Sequence, residues 1–376
     1  MEGMELKFGS VFLNKKVIVT GNTGFKGAWL TVWLLKLGAK VVGISKDVPT
    51  DPSMFYSLDL KNKLTHYEQD IRDLGGIKKI FTEEKPDFLF HMAAQPIVSL
   101  SYSNPIETIT SNVIGTANIL EALRSLETPC CAVIITSDKC YDNVEWTWGY
   151  RENDPLGGKD PYSASKGAAE LMVKTYFHSF FAKSNSHIRI TSVRAGNVIG
   201  GGDWAVSRIV PDCIRAWVKG NAVELRNPNA TRPWQHVLEP LSGYLRSAQI
   251  LSQQPEKSHG EAFNFGPNAD QSHTVFELLE KISSFWNLGT LKEFFVLNTI
   301  QNFHEAGLLK LNCDKALHFL NWKPVLEFNQ AAEFTALWYR YFYSSRNEAE
   351  IFDFTSNQID EYTRLATEKK LQWTQK

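Results

Sequence analysis

The 376-residue chain has no surplus of either charge, with 40 lysines and arginines against 41 aspartates and glutamates. A net charge of -1 gives it no electrostatic pull on nucleic acid or an acidic membrane, so an anionic ligand must be met by local cations. Cysteines are few and odd in number. The five, at 130, 131, 140, 213 and 313, show no metal-ligand spacing and read as reduced thiols, so no metal is expected. No apolar run approaches the roughly 18 residues that span a bilayer. The start M-E-G-M-E-L-K-F lacks the basic and apolar regions of a signal peptide. These absences lead to the expectation of a cytoplasmic protein. Internal repeats and low-complexity linkers are also missing, which favours packed lobes over strung-out modules.

What is present begins at Lys16 with K-V-I-V-T-G-N-T-G-F-K-G, an apolar strand running into glycines at 21, 24 and 27 and then into a helical pattern. Gly21 suits a sharp turn, Gly24 lets backbone amides approach a pyrophosphate, and Gly27 lets the helix pack on the strand. The free amides of the helix start then face an anion. Apolar positions 30, 33, 34 and 37 continue the helix to Gly38, and 40–45 reads as a second strand. Further strands are expected at 66–69, 87–91, 130–136 and 188–193, with long helices at 105–126 and 161–183. This alternation predicts an α/β fold, a doubly wound parallel (Rossmann) sheet over residues 1–195. A smaller α/β substrate lobe, with segments free to cross back, is expected over 196–345 at the sheet's C-terminal edge. A terminal helix or tail fills 346–376.

Tyr162 and Lys166, four apart in P-Y-S-A-S-K, share one helical face, where an ammonium lowers a phenol's pKa and makes it a usable base. Ser137 ends the buried strand upstream, followed directly by Asp138 and Lys139. Seat, serine and tyrosine-lysine pair, in that order, resemble the extended, sugar-nucleotide branch of the short-chain dehydrogenase/reductase superfamily. The longer stretches T-S-D-K-C-Y, W-G-Y-R-E-N-D-P-L-G-G, R-A-G-N-V-I-G-G-G-D-W and R-P-W-Q-H-V-L-E-P resemble the CDP-glucose 4,6-dehydratase family, from residue 21 to about 345. Asn22 departs from the histidine expected there.

The resemblance implies NAD as cofactor and CDP-glucose as substrate, in deoxysugar and surface-polysaccharide (O-antigen) synthesis. It implies a homodimer built on helices 105–126 and 161–183. Tyr162 is implied to take the 4-hydroxyl proton while hydride leaves C4. Lys166 holds the phenolate, Ser137 bonds the C4 oxygen, and Asp138 protonates the departing 6-hydroxyl. Lys139, where better-known dehydratases carry a glutamate, is either the C5 base or a stabiliser of the enolate. Gly21, Asn22, Thr23, Gly24, Phe25, Lys26 and Gly27 form the implied cofactor seat. Asp70 and Ile71 are implied at the adenine, and Ala93, Ala94 and Gln95 at the ribose and nicotinamide. Lys46 after the second strand leaves NADP open. Asn197, Arg208, Arg232, Trp234 and His236 are implied around the nucleotide diphosphate, though His236 also reads as a core histidine. Arg194 reads as a brace, Asp203 and Trp204 as a substrate-shaping loop or a turn, and Trp146 and Trp148 as a lid or core. Other readings are a different nucleotide-sugar 4,6-dehydratase, a C4 epimerase or reductase, and a non-catalytic dinucleotide sensor.

Overall fold

The computed structural model describes residues 3–183, 186–225, 227–268, 270–286, 295–297, 308–345 and 347–375. Seven parallel strands form the central sheet: β1 Lys16–Thr20, β2 Lys40–Ser45, β3 Thr65–Glu68, β4 Phe88–His91, β5 Cys130–Ile135, β6 Ile188–Ala195 and β7 Ala262–Phe265. Their spatial order is 3-2-1-4-5-6-7, so the chain reverses direction across the sheet between β1 and β4. That switch point leaves a crevice beyond the strand ends, where open α/β sheets bind ligands.

Alternate residues of each strand enter two apolar layers. On one face Ile18, Val42, Leu89, Ile134 and Ile190 meet helices α2 Leu74–Glu84, α3 at 105–124 and α4 Pro161–Tyr176 through Ile77, Ile119 and Val173. On the other, Val17, Val19, Phe90 and Val133 pack with α1 Phe25–Lys36 and α5 Leu238–Gln253. Both long helices depart from the sequence expectation. The first is α-helical only at Pro105–Ile109 and Gly115–Arg124, with a wider π-turn at Thr110–Ile114 between them. The second ends regular winding at Tyr176 and finishes as a π-turn at Phe177–Phe181. Helix α1 starts at Phe25, three residues earlier than its apolar spacing suggested, because Gly24 serves as the N-cap.

Residues after 195 supply part of the sheet's own support. β7 extends the sheet beside β6, and α5, buried from Leu238 to Leu251, crosses β5 and β6. Short ladders, Val198–Ile199 with Gln235–His236 and Thr231–Arg232 with His273–Thr274, form the irregular lobe. The outer helices α6 Phe328–Ser344 and α7 Glu348–Glu368 close this face, and Trp373 stacks on Phe8 with ring centres 4.7 Å apart.

One buried carboxylate ties the outer helices to α5. Glu239 accepts from the Val325 and Leu326 amides, at 3.0 and 2.6 Å, and from the Tyr362 hydroxyl at 2.9 Å. Burial pushes its pKa up to about 7 against those bonds. Glu239→Ala strands three buried donors, each worth about 1–3 kcal/mol when unsatisfied. Denaturant unfolding should show a loss of about 3 kcal/mol or more; a loss below about 1 kcal/mol would show that water replaces the carboxylate.

Candidate active site

The glycine loop is shaped by contacts that exclude side chains. Gly21 has φ +75°, and a Cβ there would lie 2.9 Å from the Ala93 backbone. A Cβ on Gly27 would lie 2.1 Å from the Gly21 carbonyl oxygen, so α1 can press on the loop only without one. Gly24 is open on its outer side, caps α1 in an extended conformation and offers no side-chain acceptor to the first amides. An uncapped helix start beside open backbone fits a dinucleotide pyrophosphate.

Asn22 and Thr23 work from below the loop. The fully buried Asn22 accepts from the Ser45 hydroxyl at 2.8 Å and lies 3.3 Å from His66 Nδ1, filling the space that Gly43 leaves empty. Thr23 donates to the Asp47 carbonyl at 2.7 Å. The side chain of Asn22 therefore braces β1 against β2 rather than facing a ligand. Phe25 stands with Lys26 in the first turn of α1.

At the end of β3, burial raises the Asp70 carboxyl, but hydrogen bonds from the Arg72 side chain and amide outweigh it and leave it below its ordinary value. Ile71 beside it is buried. Lys46 pairs with Glu107 at 3.1 Å and lies 3.8 Å from Asp47, so its charge is already balanced. Beyond β4, Ala93 donates its amide to Thr20 at 3.2 Å, and Ala94 leads into Gln95. The Gln95 side chain folds back to Thr108 and Ile97, and its backbone amide and carbonyl are both held by Asn112.

Ser137, Asp138 and Lys139 form the turn at the tip of β5, and the Ser137 hydroxyl donates to Asp138 at 2.9 Å. Asp160 caps α4, with Pro161 at its first position, which sets Tyr162 at the helix start. Burial pushes the Asp138 carboxyl up, against Lys139, Ser137 and Lys26. Lys166 lies 6.0 Å from the Tyr162 ring centre and is lowered to about 8 by burial. One expectation is corrected here. The Tyr162 phenol is not lowered: burial pushes it up to about 12, although the Ser137 hydroxyl and Arg208 pull the other way. In the protein alone, desolvation outweighs Arg208 and the Ser137 hydrogen bond.

Of the five implied substrate residues, Arg208 is brought to the catalytic group. It pairs with Asp203 at 2.9 Å, and its charge acts on both Tyr162 and Lys26. Arg232 stands on one of the neighbouring ladders and Asn197 and Trp234 next to them, with the Trp234 indole donating to the His273 carbonyl at 3.1 Å. His236 is a correction. It is fully buried, edge-on to Trp29 and Phe334, and burial lowers it to about 3, so it is a neutral core residue. Trp204 is likewise buried, against Trp338 and Phe342. Trp146 lies between Trp148 and Tyr150, while Trp148 remains exposed.

Two polar groups escaped the sequence reading because single residues of their kind carry no motif. Asn112, in the π-turn, accepts from the Gln95 amide at 2.8 Å and donates to Ser165 at 2.9 Å, joining the crevice loop to α4. Glu170, one turn after Lys166, holds Arg194 through two bonds of 3.0 and 2.8 Å and accepts from Thr136 and Ser192. Arg194 also donates to the Tyr141 hydroxyl at 2.7 Å.

The GDP-mannose 4,6 dehydratase family model matches residues 18–335. CDP-glucose 4,6-dehydratase of Salmonella typhimurium is 48% identical over 313 residues, 82% of this chain and 86% of the relative. Among solved structures, dTDP-glucose 4,6-dehydratase from Streptomyces venezuelae, with NAD bound, superposes with a TM-score of 0.73 at 20% identity, covering 87% of this chain and 97% of that one. UDP-glucose-4-epimerase from Stenotrophomonas maltophila, also with NAD, gives 0.76 at 20% identity, covering 89% of this chain and 100% of that one. At such identity these two structures speak for the fold.

Arg194→Met leaves Glu170 charged, buried and without its cation. Denaturant unfolding should show a loss of about 3–5 kcal/mol. A loss under about 1 kcal/mol would mean that Thr136 and Ser192 suffice to hold the carboxylate.

Proposed function

The chain belongs to the nucleotide-sugar dehydratase family described by the GDP-mannose 4,6 dehydratase model, and from that premise we propose that it is an NAD-dependent CDP-D-glucose 4,6-dehydratase, forming CDP-4-dehydro-6-deoxy-D-glucose and water. The observation that carries this reading is Asp138. Burial favours its protonated, donating form, and the Ser137 hydroxyl joins it to the tyrosine that would handle C4. The choice of CDP-glucose rests on the 48% identity with the Salmonella enzyme.

The amides of 21–27 would hold the pyrophosphate, with Asp70 and Ile71 at the adenine and Ala93, Ala94 and Gln95 toward the ribose and nicotinamide. Lys46, already balanced by Glu107, favours NAD over a 2'-phosphorylated cofactor. Bound there, NAD would supply the hydride acceptor for C4 and the hydride donor for C6, while Lys166 and Arg208 would supply positive charge near the phenol.

Tyr162 removes the 4-hydroxyl proton while Ser137 holds that oxygen and Lys166 balances the phenolate. The C4 ketone makes the C5 proton acidic. Lys139 or another base removes it as Asp138 protonates the leaving 6-hydroxyl. Arg208, Arg232, Asn197 and Trp234 would bind the nucleotide diphosphate, for which the planar guanidinium forks are suited.

A second reading concerns assembly. Ile106, Ile109 and Ile114 on α3, with Leu171 and Phe180 on the α4 segment, are apolar and exposed, Ile106 by 71%. This apolar outward face supports a homodimer through the two helices. No described helix is long and apolar enough to cross a membrane.

Purified protein incubated with CDP-glucose should give a 4-keto sugar, detected by mass spectrometry; turnover of another nucleotide sugar alone overturns the substrate. Asp138→Asn should keep C4 oxidation, read as NADH absorbance, and lose water elimination by at least about 100-fold. Unchanged dehydration in that variant would remove Asp138 as the acid of the elimination. A parent chain that inverts or reduces C4 without losing water would instead be an epimerase or reductase, which needs no acid at 138. Light scattering should give a dimer mass that falls to the monomer in Ile106→Glu/Leu171→Glu, and a monomeric parent chain removes the assembly reading.

A further inference from the structure

Gly196 follows the last residue of β6 and comes up beside the turn that carries Asp138. A Cβ built on it would lie 3.1 Å from Asp138 Oδ2, 3.6 Å from the Asp138 Cγ and 3.9 Å from the Pro233 ring. The first distance is tighter than ordinary van der Waals contact, so the missing side chain is what leaves room in front of that oxygen. Conformation does not ask for glycine here. Gly21 and Gly202 are left-handed, but Gly196 is not, so no positive φ demands it. What the residue supplies is space.

The two oxygens of Asp138 differ in their surroundings. Oδ1 accepts from the Ser137 hydroxyl at 2.9 Å, which makes it the carbonyl side of a protonated carboxyl and puts the proton on Oδ2. An oxygen that is to receive this proton must come within about 2.5–3.0 Å of Oδ2. The empty Cβ position stands at nearly that range, and its distance from Cγ places it beside the C–O bond rather than beyond its end. Gly196 is half-buried at the C-terminal end of β6, on the side of the sheet where the crevice lies, and Pro233 is buried. Both walls are fixed. Ala195 pairs with Phe265 of β7, the Gln235 amide donates to the Asn197 carbonyl at 3.2 Å, and the Gln235 side chain donates to the Phe265 carbonyl at 3.1 Å.

Resting on the dehydratase reading above, we propose that Gly196 is a specificity-determining residue for the 6-hydroxyl: the space left by its missing side chain, walled by Pro233, seats the oxygen that leaves as water. In that step a base takes the C5 proton, and the C5–H electron pair becomes the C5–C6 double bond. The C6–O bond breaks with its electron pair on oxygen, which takes the Oδ2 proton and departs as water, leaving Asp138 as a carboxylate. A hydroxyl fits the space. A bulkier group on C6, or any side chain at 196, competes for it.

Gly196→Ala is compared with the parent chain, both loaded with NAD, on CDP-glucose and on CDP-6-deoxyglucose, which has no oxygen at C6. The variant should lose at least about 10-fold in water elimination from CDP-glucose, because a reacting group misplaced by about 1 Å costs up to about 100-fold. NADH formation from the 6-deoxy sugar should stay within about 3-fold of the parent. Equal loss with both sugars marks a merely structural role and overturns the proposal, as does full elimination in the variant. If Gly196→Ala does not fold, the parent chain decides. CDP-6-O-methylglucose should eliminate methanol at least about 10-fold more slowly than CDP-glucose eliminates water, and equal rates overturn the seat. A substrate-free arm follows the Asp138 carboxyl band by infrared spectroscopy, isolated by subtracting Asp138→Asn. The band should shift in Gly196→Ala, and an unmoved band in the folded variant overturns the contact on which the seat rests. If the parent chain forms no product from CDP-glucose, the dehydratase reading itself fails, and the infrared arm still decides whether position 196 adjoins Oδ2.

Discussion

Beneath the turn that carries Ser137 and Asp138 lies one buried ion pair, Glu170 with Arg194, on which the geometry above it depends. Glu170 belongs to the helix of Tyr162 and Lys166, Arg194 to β6, and the hydroxyls that complete the carboxylate come from Thr136 at the end of β5 and Ser192 of β6. The network continues through Tyr141 to Asn264 of β7, whose amide donates to the Tyr150 carbonyl. A buried pair of this kind need not add net stability, since desolvation offsets much of the attraction. What it does is leave few alternatives. The carboxylate accepts from Thr136, Ser192 and Arg194, and the guanidinium donates to Glu170, Tyr141 and the Glu152 carbonyl, so strand tip, helix and turn meet at fixed separations.

The charges above that pair share a direction. Burial raises Asp138 and Tyr162 and lowers Lys26 and Lys166, each toward its neutral form. In the protein alone the site is therefore less ionised than its composition suggests. Arg208, which keeps its charge beside Asp203, is the exception. That fixed cation stands beside a phenol and lysines that burial keeps toward their neutral forms.

Much of this was legible in the sequence where a physical period or a forced conformation left a trace. Strands buried on both faces read as unbroken apolar runs, and the glycines at 21 and 27 stand where a Cβ would collide with backbone. Ser137, Tyr162 and Lys166 carried a spacing. Other features had no such trace. The π-turns in the long helices keep an apolar face and change only the winding, so periodicity passes over them. Glu170 and Asn112 are single polar letters in apolar surroundings, meaningful only once their partners are brought near. The Tyr162 phenol was misjudged because neighbouring residue types suggest charge, whereas desolvation, a property of the packed chain, decides it; burial likewise decides for the core reading of His236 over the one the resemblance implied.

The place of β7 also bears on synthesis. Strand β6 ends at Ala195, but its outer partner ends at Phe265, about 70 residues later along the chain. At roughly 5–20 residues per second, the ribosome takes on the order of 4–14 s to deliver that partner. During that interval β6 is an exposed edge with unpaired amides, and the helix that covers β5 and β6 is still being made. The sheet is therefore complete only once the second half of the chain has been made.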